Sequence, residues 1–247
     1  MSSGSQLGNT LIRADLNVPM HGKVVKDNFR IIKAIEYLVD LRKISKSVTF
    51  LSHLGRPDGI NLDYSLKPVA EEMSLLLNEE VLFINSLHGP EVKNHIDENP
   101  GKVFLLENLR FHNEETENNF DFAKKVTENF DSFILDAFGA AHRNHASIVS
   151  FGNFIEAYQG KLMTNEVKNL ELLTNSPKKP FSVILGGAKI SDKLQLINKL
   201  LPSVDNLLIG GGMCFTFLKA QGNNIGKSLY EEDYLQKAKE LLDSDNG

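Results

Sequence analysis

Short apolar runs alternate with amphipathic segments along nearly the whole chain, and no other feature narrows the possible folds so much. The runs are Thr10–Ala14, Ser47–Ser52, Glu80–Asn85, Lys102–Glu107, Ser132–Asp136, Phe181–Leu185 and Asn206–Ile209. Most are rich in β-branched or aromatic residues and do not alternate, the pattern of strands covered on both faces. Helical spacing fills the gaps, first over Asn28–Lys43, with Ile31, Ile35, Leu38 and Val39 on one side and Asp27 placed to cap it. Further helices are expected over Pro68–Leu77, Pro90–Ile96, Phe120–Phe130, Thr164–Leu173, Ser191–Leu201, Met213–Gln221 and Glu231–Leu242. Strand and helix in repetition predict an α/β fold of doubly wound parallel sheets.

One break interrupts this rhythm. Thr174-Asn175-Ser176-Pro177-Lys178-Lys179-Pro180 is rich in turn formers and marks the passage into a second domain. The expected organisation is a first domain over 1–160, a connecting helix and hinge over 161–180, and the start of a second domain over 181–247. Only two strands are predicted there, too few to close an α/β core, so the second domain reads as incomplete.

Composition limits the partners. The formal charge of −5 speaks against nucleic acid, and 41% hydrophobic with 24% charged residues is the balance of a globular protein. A single cysteine, Cys214, rules out an internal disulfide and fits a reducing compartment. Met213, Phe215 and Phe217 around it predict a buried structural thiol. Met1–Gly8 offers no apolar stretch for a signal peptide, and no window approaches the ~20 apolar residues of a membrane helix. A cytoplasmic protein is expected, and the lack of an exposed apolar stripe suggests a monomer.

Ligands of open α/β sheets bind beyond the carboxyl ends of the strands, and those positions repeat one chemistry here. Arg13, Asp15 and Asn17 follow the first strand; His53 and Arg56 the second; Arg110 the fourth; His142, Arg143 and His145 the fifth. Arg30 falls in the first turn of the first helix. An arginine near a strand end is more often a surface ion pair than a ligand contact, but the recurrence at one edge suits a small, multiply anionic substrate. Gly186-Gly187-Ala188-Lys189-Ile190-Ser191-Asp192-Lys193 follows another strand. It reads either as an ordinary turn with solvated lysines or as a polyphosphate site, with Ser191 capping a helix whose first turn carries both lysines. Gly222-Asn223-Asn224-Ile225-Gly226-Lys227-Ser228 is one residue short between its glycines for a P-loop and follows a helix. His142 and His145 lack a third ligand for a metal, and Glu114-Glu115-Thr116-Glu117 reads as a solvated face.

Together these segments name a family. Arg13-Ala14-Asp15-Leu16-Asn17-Val18-Pro19, Ser52-His53-Leu54-Gly55-Arg56-Pro57, Leu106-Glu107-Asn108-Leu109-Arg110-Phe111, Asp136-Ala137-Phe138-Gly139, His142-Arg143, Gly186-Gly187-Ala188-Lys189 and Gly210-Gly211-Gly212-Met213 resemble phosphoglycerate kinase in order and interval. The resemblance covers nearly the whole chain. It implies reversible phosphoryl transfer between 1,3-bisphosphoglycerate with ADP and 3-phosphoglycerate with ATP, magnesium being carried by the nucleotide. By motif, Arg56, Arg110 and Arg143 resemble the clamp on the substrate's 3-phosphate, and Asp15, Asn17 and His53 the contacts to its hydroxyl and carboxyl end. Arg30 and Lys189 resemble the pair that stabilises the phosphoryl group in flight, Arg30 also counting among the substrate contacts. Lys193 resembles a contact to the nucleotide phosphates, with Gly187, Gly211 and Gly212 on the nucleotide side.

The chain departs from the family in a few places. Ala140 stands where threonine is usual and Asn144 where alanine is usual, and the lead-in Met1–Asn9 is short and polar. The family's second domain runs well beyond Gly247, with the rest of the adenosine pocket, an aspartate that meets the magnesium, and a last segment packed on the first domain. The resemblance therefore implies a glycolytic kinase, or alternatively a truncated, inactive module that binds 3-phosphoglycerate. The 247-residue chain alone is expected to turn over negligibly.

Overall fold

Parallel pairing around β1 (Asn9–Ala14) organises the first of two compact units in the computed structural model, which describes residues 7–244. The chain divides between Lys168 and Asn169. In the first unit β1 pairs in parallel with β4 (Ser47–Leu51) on one side and β7 (Ser132–Asp136) on the other, Thr10 facing both Val48 and Ser132. With β5 (Val81–Ile84), β6 (Val103–Leu106) and β8 (Glu156–Gln159), the sheet runs β5-β6-β4-β1-β7-β8. β2 (Met20–His21) and β3 (Val24–Val25) form a small antiparallel hairpin apart from it.

Successive side chains of a strand face opposite sides, and here both sides are covered. Ile12, Phe50 and Leu105 pack with Ile31 of α1 (Phe29–Ile35), Leu38 of α2 (Leu38–Ile44) and Met73 of α3 (Lys67–Leu77). Leu11, Leu51 and Phe104 pack with Val92 of α4 (Pro90–Glu98) and Val126 of α6 (Phe120–Thr127), the short α5 (Asn113–Thr116) lying between these helices in sequence. Burying both faces explains why the central strands read as unbroken apolar runs. The carboxyl ends of β1, β4, β6 and β7 therefore share one edge.

The expected helix over Asn28–Lys43 is two helices, broken at Glu36 and Tyr37. Tyr37 turns into the core, and its hydroxyl donates to Asp136 at the end of β7. The break also rotates Val39 outward, so that it is exposed rather than on the packed side. The hairpin and β8 are absent from the sequence reading: two-residue strands give no periodicity, and β8 is an exposed edge strand without an apolar run. Asp136 also accepts from the backbone N–H of Met163, which fixes the start of α7 (Lys161–Asn175) against this sheet.

The second unit carries β9 (Ser182–Gly186) paired in parallel with β10 (Asn206–Gly210). α8 (Leu194–Leu200), α9 (Cys214–Ala220) and α10 (Leu235–Leu242) gather on them through Ile197, Met213, Ala238 and Leu241. Here burial alternates along the strands, leaving Ile184 and Leu208 exposed, unlike the doubly covered strands expected. Cys214 is half-buried on an apolar cavity of about 900 Å³, not sealed in a core.

Candidate active site

At the shared strand edge of the first unit, the loops enclose a cavity of about 310 Å³. Asp15, Asn17, Arg30, His53, Arg56, Arg110 and Arg143 all line it, with Gly139 and Ala140 forming one wall. Every residue expected on the substrate side thus reaches one cavity.

Hydrogen bonds from buried residues hold these loops. Asn17 Oδ1 accepts from the Gly55 N–H at 2.9 Å and so pins the loop after β4 to the loop after β1. Asn108, fully buried, accepts from the N–H groups of Leu54 and Arg110 at 3.2 and 3.0 Å and donates to the carbonyls of Leu54 and Tyr64 at 2.8 and 2.9 Å. Glu107 beside it accepts from the Leu66 N–H at 2.9 Å and the Ser65 hydroxyl at 2.7 Å. A buried amide and carboxylate with their bonding capacity filled make a stiff frame. Arg110 rises from that frame, its guanidinium also donating to the Gly55 carbonyl.

The cavity concentrates positive charge. Burial, and then the neighbouring guanidinium groups of Arg143 and Arg56, pull Arg110 below its ordinary value. Like charges facing one another destabilise the empty site and favour an anion that bridges them. Arg30 Nη1 lies 2.7 Å from Asp15 Oδ2, half exposed. A Cβ on Gly139 would stand 2.9 Å from the same carboxylate oxygen, so a glycine there lets Asp15 approach the wall. His53 is pushed down to about 2, first by burial and then by the charges of Arg13 and Arg110, with His145 and Arg30 adding to them. It is a neutral ring.

Arg13 does not line the cavity. It is 1% exposed and lies behind His53, so it does not join the other arginines at the strand edge as expected. Glu115 is likewise buried, at 1% exposure, and corrects the expectation of a solvated acidic face. It accepts from the N–H and hydroxyl of Ser147 at 2.9 and 2.6 Å. His145 Nδ1 lies 3.6 Å from Glu115, and His142 is outside the cavity lining.

In the second unit the glycine segments after β9 and β10 touch. The Met213 N–H donates to the Gly187 carbonyl at 2.9 Å. A Cβ on Gly211 would stand 2.7 Å from that carbonyl oxygen, and one on Gly212 3.0 Å from the Ala188 carbonyl oxygen. The Lys193 side chain runs beside Gly187, 3.8 Å from the position a Cβ would take there. Lys189 is exposed.

Ser191 does not cap a helix. Residues 191–193 form a turn, and α8 begins at Leu194, so both lysines precede it. The Ser191 hydroxyl and N–H donate instead to Glu231, at 2.6 and 3.1 Å. Burial pushes the Glu231 carboxyl up, but those bonds, the Ile190 backbone and the charge of Lys189 hold it below its ordinary value. Glu231 is forty residues from Ser191, and no local sequence signal could have revealed this brace.

Known proteins resemble this chain along nearly its whole length. The sequence family described as phosphoglycerate kinase matches residues 6–247. Phosphoglycerate kinase of Clavibacter sepedonicus is 44% identical over 94% of this chain and 59% of its own length. That of Moorella thermoacetica is 46% identical over 94% of this chain and 60% of its own. Among solved structures, phosphoglycerate kinase from Coxiella burnetii superposes with a TM-score of 0.83 at 37% identity, covering 98% of this chain and 62% of that one. The chain therefore spans about three fifths of the length of the curated relatives it matches. By sequence, by α/β fold and by the match to solved structures, the chain belongs to the phosphoglycerate kinase family.

Proposed function

We propose that the protein containing this chain transfers a phosphoryl group reversibly between ATP and the carboxylate of 3-phosphoglycerate, giving ADP and 1,3-bisphosphoglycerate. The observation that carries the reading is the convergence of four arginines, Asp15, Asn17 and a neutral His53 on one cavity of a size for a small anion. Arg56, Arg110 and Arg143 take the 3-phosphate; Asp15, Asn17 and His53 take the hydroxyl and carboxyl end. An ionised carboxylate oxygen attacks the γ-phosphorus while the bond to the β–γ bridging oxygen breaks, and ADP leaves with that electron pair. The nucleophile carries no proton at neutral pH, so the step needs no general base. Alignment and cations placed where charge develops, Arg30 and Lys189, supply the catalysis.

Gly187, Gly211 and Gly212, which let the two strand-end turns pack closely, form the nucleotide side, and Lys193 meets its phosphates. These residues fit a polyphosphate: small, amide-rich and flanked by lysines. Magnesium would be carried by the nucleotide as part of that substrate and would neutralise phosphate charge. The described residues hold no cluster of three or more His, Cys, Asp or Glu side chains suited to a metal. Because substrate and nucleotide bind to different units, the segment 172–180 acts as the hinge of a closing motion. No helix among the described residues is long and apolar enough to cross a membrane. With its single cysteine and acidic balance, the protein is read as a cytoplasmic monomer acting on small molecules and not on nucleic acid.

The test is a coupled assay of the complete protein for 3-phosphoglycerate-dependent consumption of MgATP. Turnover dependent on both substrates supports the reading, and its absence in a folded protein contradicts it. Arg56→Ala is expected to raise the KM for 3-phosphoglycerate about ten- to a hundredfold, as loss of one charge-assisted contact does, with kcat little changed. Equal KM values for the two proteins would remove Arg56 from the phosphate clamp.

A further inference from the structure

The most buried charged groups of the first unit form one chain behind the cavity. Arg13 Nη2 lies 2.8 Å from His53 Nδ1, and Arg13 Nε donates to Ser147 Oγ at 3.0 Å. The Ser147 hydroxyl, accepting from Arg13, donates its own proton to Glu115 Oε1 at 2.6 Å. The remaining Arg13 nitrogen donates to the Ala14 carbonyl and, at 3.4 Å, to the Ser52 hydroxyl. Arg13, Ser52, Glu115 and Ser147 are each no more than 1% exposed, so no solvent competes for these bonds.

The direction of the Arg13–His53 contact is fixed by chemistry. A guanidinium has donors and no acceptor, so the ring nitrogen it meets must offer a lone pair. His53 Nδ1 then carries no proton, and the neutral ring must carry its proton on Nε2. Among the described residues Nε2 has no protein hydrogen-bond partner, and it is not a sealed orphan, since Thr49 Oγ1 is the sole buried unpartnered side-chain atom found there. The ring lines the cavity. Its N–H is therefore free and unsealed on a ring that lines the ligand space.

We infer that Arg13, anchored through Ser147 to Glu115, is a positioning residue that holds His53 in its Nε2–H tautomer and so presents a fixed hydrogen-bond donor to an anionic oxygen in the cavity. A donor set this way adds no titrating charge to the arginine cluster. The carboxylate keeps the anchor charged. Burial pushes Glu115 up, but His145, the charge of Arg13 and the bonds from Ser147 outweigh it and hold the carboxyl below its ordinary value. Use of the donor against 3-phosphoglycerate rests on the proposed function, whereas the tautomer does not.

The tautomer can be read directly from the 15N shifts of the His53 ring in the complete, ligand-free protein, assigned by their loss in His53→Gln. Expected is a pyridine-like Nδ1 and a pyrrole-like Nε2, unchanged across about pH 5 to 8, where a free imidazole titrates. The charges of Arg13, Arg110 and Arg30, the nearby His145 and burial all oppose protonation, and Asp15 across the cavity is already paired with Arg30. A protonated Nδ1, or titration within that range, overturns the inference. In Arg13→Met/Glu115→Gln, which removes both buried charges together, the Nδ1–H form should become populated and both nitrogens should move to intermediate shifts. A folded double variant that keeps the wild-type ring shifts shows that burial alone sets the tautomer, and overturns the role of Arg13. Since neither readout needs substrate, failure here and failure of the kinase reading are separately visible.

Discussion

Replacing Arg30 with alanine in the complete protein is expected to lower kcat about 100- to 1,000-fold while the KM values for both substrates stay within a few-fold, and Lys189→Ala is expected to behave alike. A group that meets charge only as it develops is worth more to the transition state than to either bound substrate. Arg30 suits this role because it is half exposed and, among the described residues, is tethered only to Asp15, so its guanidinium can move to a ligand at small cost. An exposed pair of this kind contributes at most about 1 kcal/mol to stability. Thermal unfolding of Arg30→Ala should therefore nearly match wild type, and the activity loss cannot be attributed to misfolding. Lys189 is exposed in the turn after β9 and belongs to the other unit, so the Lys189→Ala result tests its own assignment separately. An Arg30→Ala protein with unchanged kcat contradicts the assignment.

The second large effect is expected at Gly211. Its φ of +70° costs a residue with a Cβ about 1–2 kcal/mol, and the added carbon would stand 2.7 Å from the Gly187 carbonyl oxygen and 3.0 Å from the Gly187 nitrogen. Both atoms are backbone of the neighbouring turn, which must shift to make room. Gly211→Ala is therefore expected to destabilise the second unit by about 3 kcal/mol and to weaken ADP binding at least tenfold. Gly226→Ala is the control. It has a φ of +60° but nothing within 4 Å of its Cβ, so it bears the backbone term alone. Thermal unfolding and nucleotide titration of the two variants separate the causes. Equal losses would show that crowding against Gly187 is unimportant.

Much of the site was legible because its parts sit at predictable places. The apolar runs mark strands, parallel strands share a carboxyl edge, and residues just past those runs must meet there. Asp15, Asn17, His53, Arg56, Arg110 and Arg143 became visible in this way, and the structure gathers them. The supporting layer was hidden for an equally physical reason. Arg13 looks like its neighbours in sequence, but it still belongs to β1, which is buried from Thr10 onward, whereas Asp15 and Asn17 lie past the strand's end and open onto the cavity. Glu115 sits in an acidic run that reads as solvated, and only a contact with Ser147, thirty-two positions away, shows otherwise. The break at Tyr37 was hidden in the same way, since its hydroxyl's partner, Asp136, lies ninety-nine positions away at the end of β7.

The proposed chemistry requires the arginine-lined cavity to bind 3-phosphoglycerate. The most direct measurement is a titration of that compound into the complete labelled protein, followed by backbone and side-chain resonances. Expected are saturable shifts centred on Asp15, Asn17, His53, Arg56, Arg110 and Arg143, an affinity that falls as salt is raised, and loss of the response in Arg110→Ala. Absence of saturable binding, or shifts centred elsewhere and unaffected by Arg110→Ala, would contradict it.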